Sequence, residues 1–261
     1  MWGWWQELAG LVLPAACAGC GAARAVLCAA CGRALDGGAA APVRPSGRPR
    51  GLPPVYGAAV YEGAVRAVVL AHKERGALAL AGPLGSALAA AVAAGDAAAG
   101  AAGGGAVGGG AVRSWAEGPA GVVLVPVPSA RRQVRARGHD PVRRIALAAA
   151  GRLRRAGAPA RVASVLHQVR PVADQAGLGA RERWENLAGA LGVRRGGALS
   201  VAGARIVLVD DVITTGATLA EASRALRAAG LGPVAGAAVV AAPPRSFRTN
   251  PVVYPDRATL L

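Results

Sequence analysis

Lysine is nearly missing from this sequence and aromatic residues are few: Lys73 stands alone, and Phe, Tyr and Trp make up 3% of 261 residues. The shortage of rings removes the obvious device for holding single strands, a row of aromatic side chains that stack on successive bases. Acids are scarce too, with 14 Asp and Glu against 30 Lys and Arg, so arginine carries the formal charge of +16. Such a balance invites a polynucleotide partner. A compositional bias towards Arg, Ala and Gly gives the same total, and the arginines are spread over many segments. Before Arg24 there is no Lys or Arg, and the apolar run Leu8–Leu13 is too short for a secretory leader. A cytoplasmic protein is therefore expected, with the first helix packing its Trp and Leu residues on the module that follows. No uninterrupted apolar stretch reads as a membrane span, because glycines and Asp96 break the long alanine tract.

The length suits one α/β domain with a small accessory module. Residues 1–36 hold an N-terminal helix and all four cysteines, and a Pro/Gly/Arg linker covers 37–54. The main domain is expected over 55–245, with a mobile Ala/Gly-rich insertion at 89–121 and a tail from 246 to 261. Within the domain, strands are expected at Val55, Val122–Pro128, Val162–Leu166, Ala204–Val209 and Pro233–Val240. Helices are expected over Ala64–Lys73, from near Leu78, from Asp140-Pro141 to about Arg155, and over Ala217–Ala229. Asp140 reads as an N-cap with Pro141 in the first turn. Strands that alternate with helices imply a parallel sheet covered on both faces with right-handed crossovers, so the fold class is α/β.

Cys17-Ala-Gly-Cys20 and Cys28-Ala-Ala-Cys31 are two CxxC knuckles, whose four thiolates can surround one tetrahedral Zn²⁺. With four sulfur ligands and no open position, the ion's role would be structural. Two disulfides are the alternative, which a cytoplasmic location disfavours. A redox pair would need only one of the motifs. His72, His139 and His167 share no ligand spacing and read as packing or hydrogen-bonding residues.

The segment Ala204–Ala222, ARIVLVDDVITTGATLAEA, carries the strongest signal. Asp210 and Asp211 stand at the carboxyl end of an apolar strand, the edge where open parallel sheets bind ligands. Thr214, Thr215, Gly216, Ala217 and Thr218 then lead into a helix. Small residues let the backbone curl round a phosphate, threonine hydroxyls donate to it, and the helix N-terminus favours its charge. Carboxylates a few residues away can accept from vicinal sugar hydroxyls. Diol acceptors beside a phosphate cradle describe a site for ribose 5-phosphate.

That stretch resembles the signature of type I phosphoribosyltransferases. Further segments narrow the likeness: Tyr61-Glu62-Gly63 through Arg66 and His72-Lys73, Val125-Pro-Val-Pro128 with Arg137-Gly138, and Arg170-Pro-Val-Ala-Asp-Gln175 through Leu178, Arg181 and Asn186. With the four-cysteine knuckle, this order resembles the ComF family, associated with bacterial competence and DNA uptake. His139-Asp140 departs from it, since the family usually has an aromatic and an asparagine after Arg-Gly. The resemblance implies a type I phosphoribosyltransferase-like sheet and binding of phosphoribosyl pyrophosphate with Mg²⁺. Asp210 and Asp211 would contact the ribose hydroxyls, and Thr214–Thr218 would hold the 5-phosphate. Arg170, Arg181 and Lys73 would neutralise the departing pyrophosphate. Transfer to a nucleobase-like acceptor is the leading expectation. A non-catalytic adaptor for single-stranded DNA or a DNA-uptake helicase, or a sensor of phosphoribosyl pyrophosphate, is the alternative.

Overall fold

The computed structural model describes residues 16–36, 40–47, 49–103, 121–172 and 180–247. The first helix, the insertion beyond residue 103, the tail beyond Phe247 and the Arg181 side chain lie outside that description.

A six-stranded sheet runs in the order β1 (Ala41–Val43), β2 (Val55–Val60), β8 (Gly236–Ala242), β7 (Arg205–Val212), β3 (Val122–Pro126) and β4 (Ala160–Val162). All neighbours are parallel except the edge pair β1–β2. A separate antiparallel ribbon pairs β5 (Leu166–Gln168) with β6 (Leu191–Val193). The helices, in chain order, are α1 (Ala29–Leu35), α2 (Gly63–Glu74), α3 (Ala81–Gly103), α4 (Arg131–Arg137), α5 (Pro141–Arg155), α6 (Ala180–Leu187) and α7 (Ala217–Ala228).

The central strands are apolar along their middles because both of their faces are covered there. Along β7, Val207 and Val209 join a core with α2, α3 and α5, while Ile206 and Leu208 join a second core with α7 and the ribbon. β3 alternates the same way, Val122 and Leu124 to one side, Val123 and Val125 to the other. The fold is thus a mixed α/β sheet flanked by helices, as expected, with a four-cysteine cluster packed on one end.

Several boundaries differ from the sequence expectation. Residues 89–103, assigned to a mobile insertion, are the larger, C-terminal part of α3. Leu84, Leu88 and Val92 recur every four residues and are buried. Alanine has the highest helix propensity, and small residues let α3 lie hard against α5. A Cβ on Gly85 would come within 2.4 Å of the Ala148 methyl. This helix is long and apolar enough to cross a membrane by length and composition. Here it forms the core beside β2 and β8.

The expected strand Val162–Leu166 is interrupted: β4 ends at Val162 and β5 begins at Leu166. Ala163 makes the last hydrogen bond to β3, through the Leu124 carbonyl, and the chain then leaves the sheet for the ribbon. The expected strand Pro233–Val240 begins three residues later, at Gly236, and runs on to Ala242. The linker contains β1, and its Pro45 and Leu52 lie against Gly216. Ser246 and Phe247, placed in the tail, are buried, and Phe247 bridges to Val43.

Candidate functional site

Two helix ends meet the carboxyl edge of β7. The first is the N-terminus of α7. Gly216 is its N-cap at φ +80°, a left-handed conformation that a β-carbon would strain. Crowding adds to that, since a Cβ would stand 3.0 Å from Leu52 Cδ2. Thr215 Oγ1 accepts from the Ala217 N–H at 3.4 Å. Thr214 is exposed, and Thr215 and Thr218 are half-buried beside the first turn. Helix geometry leaves the first-turn N–H groups without intrahelical acceptors, so the loop is an anion site in form.

The second is the last turn of α2, where His72, Lys73 and Glu74 each reach a different element. Lys73 Nζ pairs with Asp211 Oδ2 at 2.7 Å. Glu74 receives a two-pronged contact from Arg137 at the end of α4, with Nε and Nη2 at 3.0 and 2.8 Å from its oxygens. His72, 1% exposed, sits between the carbonyls of Ala77 and Pro141. His139 sits in turn between the carbonyls of Arg137 and His72, edge-on to His72 with ring centroids 5.7 Å apart. Asp140 Oδ1 accepts from the Arg143 N–H at 3.1 Å and caps α5. Burial holds the His72 imidazole below its usual pKa, although both carbonyls favour its charged form.

Asp210 and Asp211 stand between these ends. Asp211 is 3% exposed, and its Oδ1 accepts from the Val212 N–H at 2.8 Å. Asp210 is half-buried, and its Oδ1 accepts from the Asp211 N–H at 2.8 Å. Burial and the neighbouring carboxylate push Asp210 well above the ordinary carboxyl range, against the pull of Lys73. Burial also opposes charge on Lys73, but Asp211 and then Asp210 outweigh it and raise its pKa. Two carboxylates share one ammonium here. A divalent cation or a set of sugar hydroxyls would relieve the excess, so the donor set fits Mg²⁺ arriving with a polyphosphate.

Sequence reasoning named Lys73 and the aspartates, and the structure brings them together. It does not bring Arg170 to them: that guanidinium donates to the carbonyls of Asn186 and Ala188, at 3.0 and 2.7 Å, and so fastens the end of α6. Sequence reasoning missed the partnership of Glu74 with Arg137. It also missed Glu221, a carboxylate 1% exposed in the second turn of α7. Glu221 accepts from the Leu191 N–H at 3.0 Å and from Arg224 at 2.7 and 2.8 Å, while Arg224 also donates to the Leu191 carbonyl. Burial opposes its charge, but Arg224 and the N–H groups prevail and its pKa is lowered. This clamp docks β6 on the helix that carries the phosphate loop. Only an acid and a base at i, i+3 mark it in the sequence, a pattern that surface pairs share.

The cysteine cluster lies at the other end of α2. All four Sγ atoms of Cys17, Cys20, Cys28 and Cys31 lie within 4.8 Å of one another, and Cys20 and Cys28 are 3.6 Å apart. Sulfurs around a tetrahedral Zn²⁺ stand about 3.8 Å apart, and none of the four cysteines is in a disulfide. Cys17 Sγ accepts from the Cys28 N–H at 3.3 Å. Burial would raise the Cys17 thiol, but N–H groups of Cys28, Cys20 and Gly19 bring it down to about 6. Burial and the surrounding sulfurs push Cys31 up instead. One favoured thiolate among crowded thiols suits a cluster that takes a cation. Leu27 and Ala34 of the module pack on the main core, and Gly19 lies on Ala64 in the first turn of α2.

A family model for the phosphoribosyl transferase domain matches residues 172–252. That span contains β6, β7, the phosphate loop, α7 and β8, and it excludes α2 and the cysteines. No curated protein matches the chain. The chain is thus an α/β sheet that contains a stretch similar to the phosphoribosyl transferase domain, with a four-cysteine cluster that could hold a metal ion.

Proposed function

We propose that this protein binds phosphoribosyl pyrophosphate with Mg²⁺ and transfers the phosphoribosyl group to a base-like acceptor. The observation that carries this reading is the meeting of the half-buried Asp210 with the N-terminus of α7 at one sheet edge, within the span that matches the phosphoribosyl transferase domain. The α7 N–H groups and Thr214, Thr215 and Thr218 would take the 5-phosphate, and Asp210 the ribose hydroxyls. In the transfer the C1–O bond breaks and pyrophosphate leaves with the electron pair. The acceptor nitrogen bonds to C1 and gives up its proton. Mg²⁺, when bound, supplies charge neutralisation at the pyrophosphate. Lys73 adds a protein cation on the same side, and Arg181 is its proposed companion.

The cysteine cluster is proposed to hold Zn²⁺ as a structural ion. The resemblance to the ComF family, on the four-cysteine module and the Val125-Pro-Val-Pro128 segment, supports a link to DNA uptake. Exposed arginines on α4 and α5, including Arg132, Arg135, Arg143, Arg144 and Arg152, favour a second reading. In it the chain is an adaptor for single-stranded DNA and the site a sensor.

Calorimetry with phosphoribosyl pyrophosphate and Mg²⁺ tests the first step, and the outcome expected is binding that Asp210→Asn weakens about tenfold or more. A chain that binds no phosphoribosyl pyrophosphate is neither enzyme nor sensor. Pyrophosphate release across a panel of bases then tests transfer, and silence with every base moves the reading to the sensor.

A further inference from the structure

Asp210 and Asp211 are adjacent on one strand, and regular alternation would send their side chains to opposite faces. Val207 and Val209 pack towards α2, α3 and α5. Ile206 and Leu208 pack towards α7, but the alternation does not carry past the aspartates, since Val212 packs on the same core as Val207 and Val209. What separates the two aspartates is exposure, Asp210 being half-buried where Asp211 is enclosed. The contacts agree: Asp211 is 3% exposed, with one oxygen on the Val212 N–H and the other 2.7 Å from Lys73 Nζ. Its Oδ1 is held by that hydrogen bond, and its buried Oδ2 by the ion pair with Lys73 alone. Lys73 keeps 32% of its side chain exposed, so its ammonium can meet a ligand while held from behind.

We infer that the two aspartates divide the work: Asp210 receives the ribose diol, and Asp211 is a positioning residue that holds the Lys73 ammonium against the pyrophosphate. This rests on reading the cleft as a phosphoribosyl pyrophosphate site. Its consequence is a ligand-selective signature. Ribose 5-phosphate has the diol and the 5-phosphate but no pyrophosphate, so it needs Asp210 and does without Asp211 and Lys73.

The test is calorimetry on the full chain with phosphoribosyl pyrophosphate plus Mg²⁺ and, separately, with ribose 5-phosphate. Asp210→Asn is expected to weaken both ligands about tenfold or more, the size of a lost charge-assisted hydrogen bond. Asp211→Asn and Lys73→Met are each expected to weaken phosphoribosyl pyrophosphate about tenfold and leave ribose 5-phosphate within about twofold. The double variant should be no worse than either single one, because both remove the same unit. Lys73→Arg should restore most of the affinity when Asp211 is present. Should Asp211→Asn not fold, Lys73→Met carries the comparison, since its side chain is partly in solvent. The division is overturned if Asp211→Asn weakens ribose 5-phosphate as much as Asp210→Asn does, or if Lys73→Met weakens both ligands equally. A parent chain that binds neither ligand removes the functional reading itself, a result distinct from either of those.

Discussion

The two helix ends at the carboxyl edge of β7 solve different problems by different means. The N-terminus of α7 offers backbone: N–H groups, a helix dipole and a glycine that only a left-handed turn requires. The last turn of α2 offers side chains, and each is fixed by a partner distant in sequence: Asp211 for Lys73, Arg137 for Glu74, and Pro141 and His139 for His72. A backbone site tolerates many side chains and keeps a local signature. A side-chain knot has no local signature, because any one of its residues looks ordinary alone. The phosphoribosyl transferase match divides along the same line, covering α7 and leaving α2 outside.

Breaking the α7 end should give the largest effect. Gly216→Val adds both backbone strain at φ +80° and contact with Leu52. Phosphoribosyl pyrophosphate affinity is expected to fall on the order of a hundredfold in calorimetry. An unchanged affinity would mean that the loop does not hold the phosphate.

The clamp one turn further along α7 comes next. Arg224→Met leaves Glu221 buried without its cation, and urea unfolding should show a loss of about 2 kcal/mol. That is less than for a fully enclosed pair, because 42% of the Arg224 side chain is in water. If stability is unmoved, Glu221 is held by the N–H groups alone.

Between the two ends, Asp210→Asn should stabilise while it disables. The folded state raises the Asp210 carboxyl, so ionisation at neutral pH costs folding energy that Asn does not. A higher urea midpoint is expected together with weakened binding. A loss of stability would instead place the charge among the contacts that hold the fold.

The smallest effect belongs to the α2 end and reads out in pH. The His72 pKa is depressed in the folded state, so the unfolded chain takes up the proton first as pH falls. Its contribution to stability is full above about pH 6.5 and is lost as pH drops from there towards the folded value. Comparing urea midpoints at pH 7.5 and 5.5, the parent should lose more than His72→Gln does. Equal losses in both would assign the acid sensitivity elsewhere.

The same contrast explains what could be read from the sequence. β7, its loop and α7 are one contiguous stretch whose period and glycine are local facts, and the two CxxC knuckles are close in sequence. The clamp of Glu221 on Leu191 and the pairing of Arg137 with Glu74 depend on the sheet order, which sets what lies beside what. β1 hid in a proline-rich linker because an edge strand can hold Pro42 without losing a needed donor. Alanine and glycine made residues 89–103 look structureless, although the same small size lets α3 press on α5.

β8 lies between β2 and β7, with every residue buried, and among the described residues it is the last of the sheet's strands in chain order. Without β8 nothing in the sheet joins β1–β2 to β7–β3–β4, so each part would have an open edge. The earliest strands thus wait for the latest, and the unfinished chain exposes two unpaired strand edges to its neighbours.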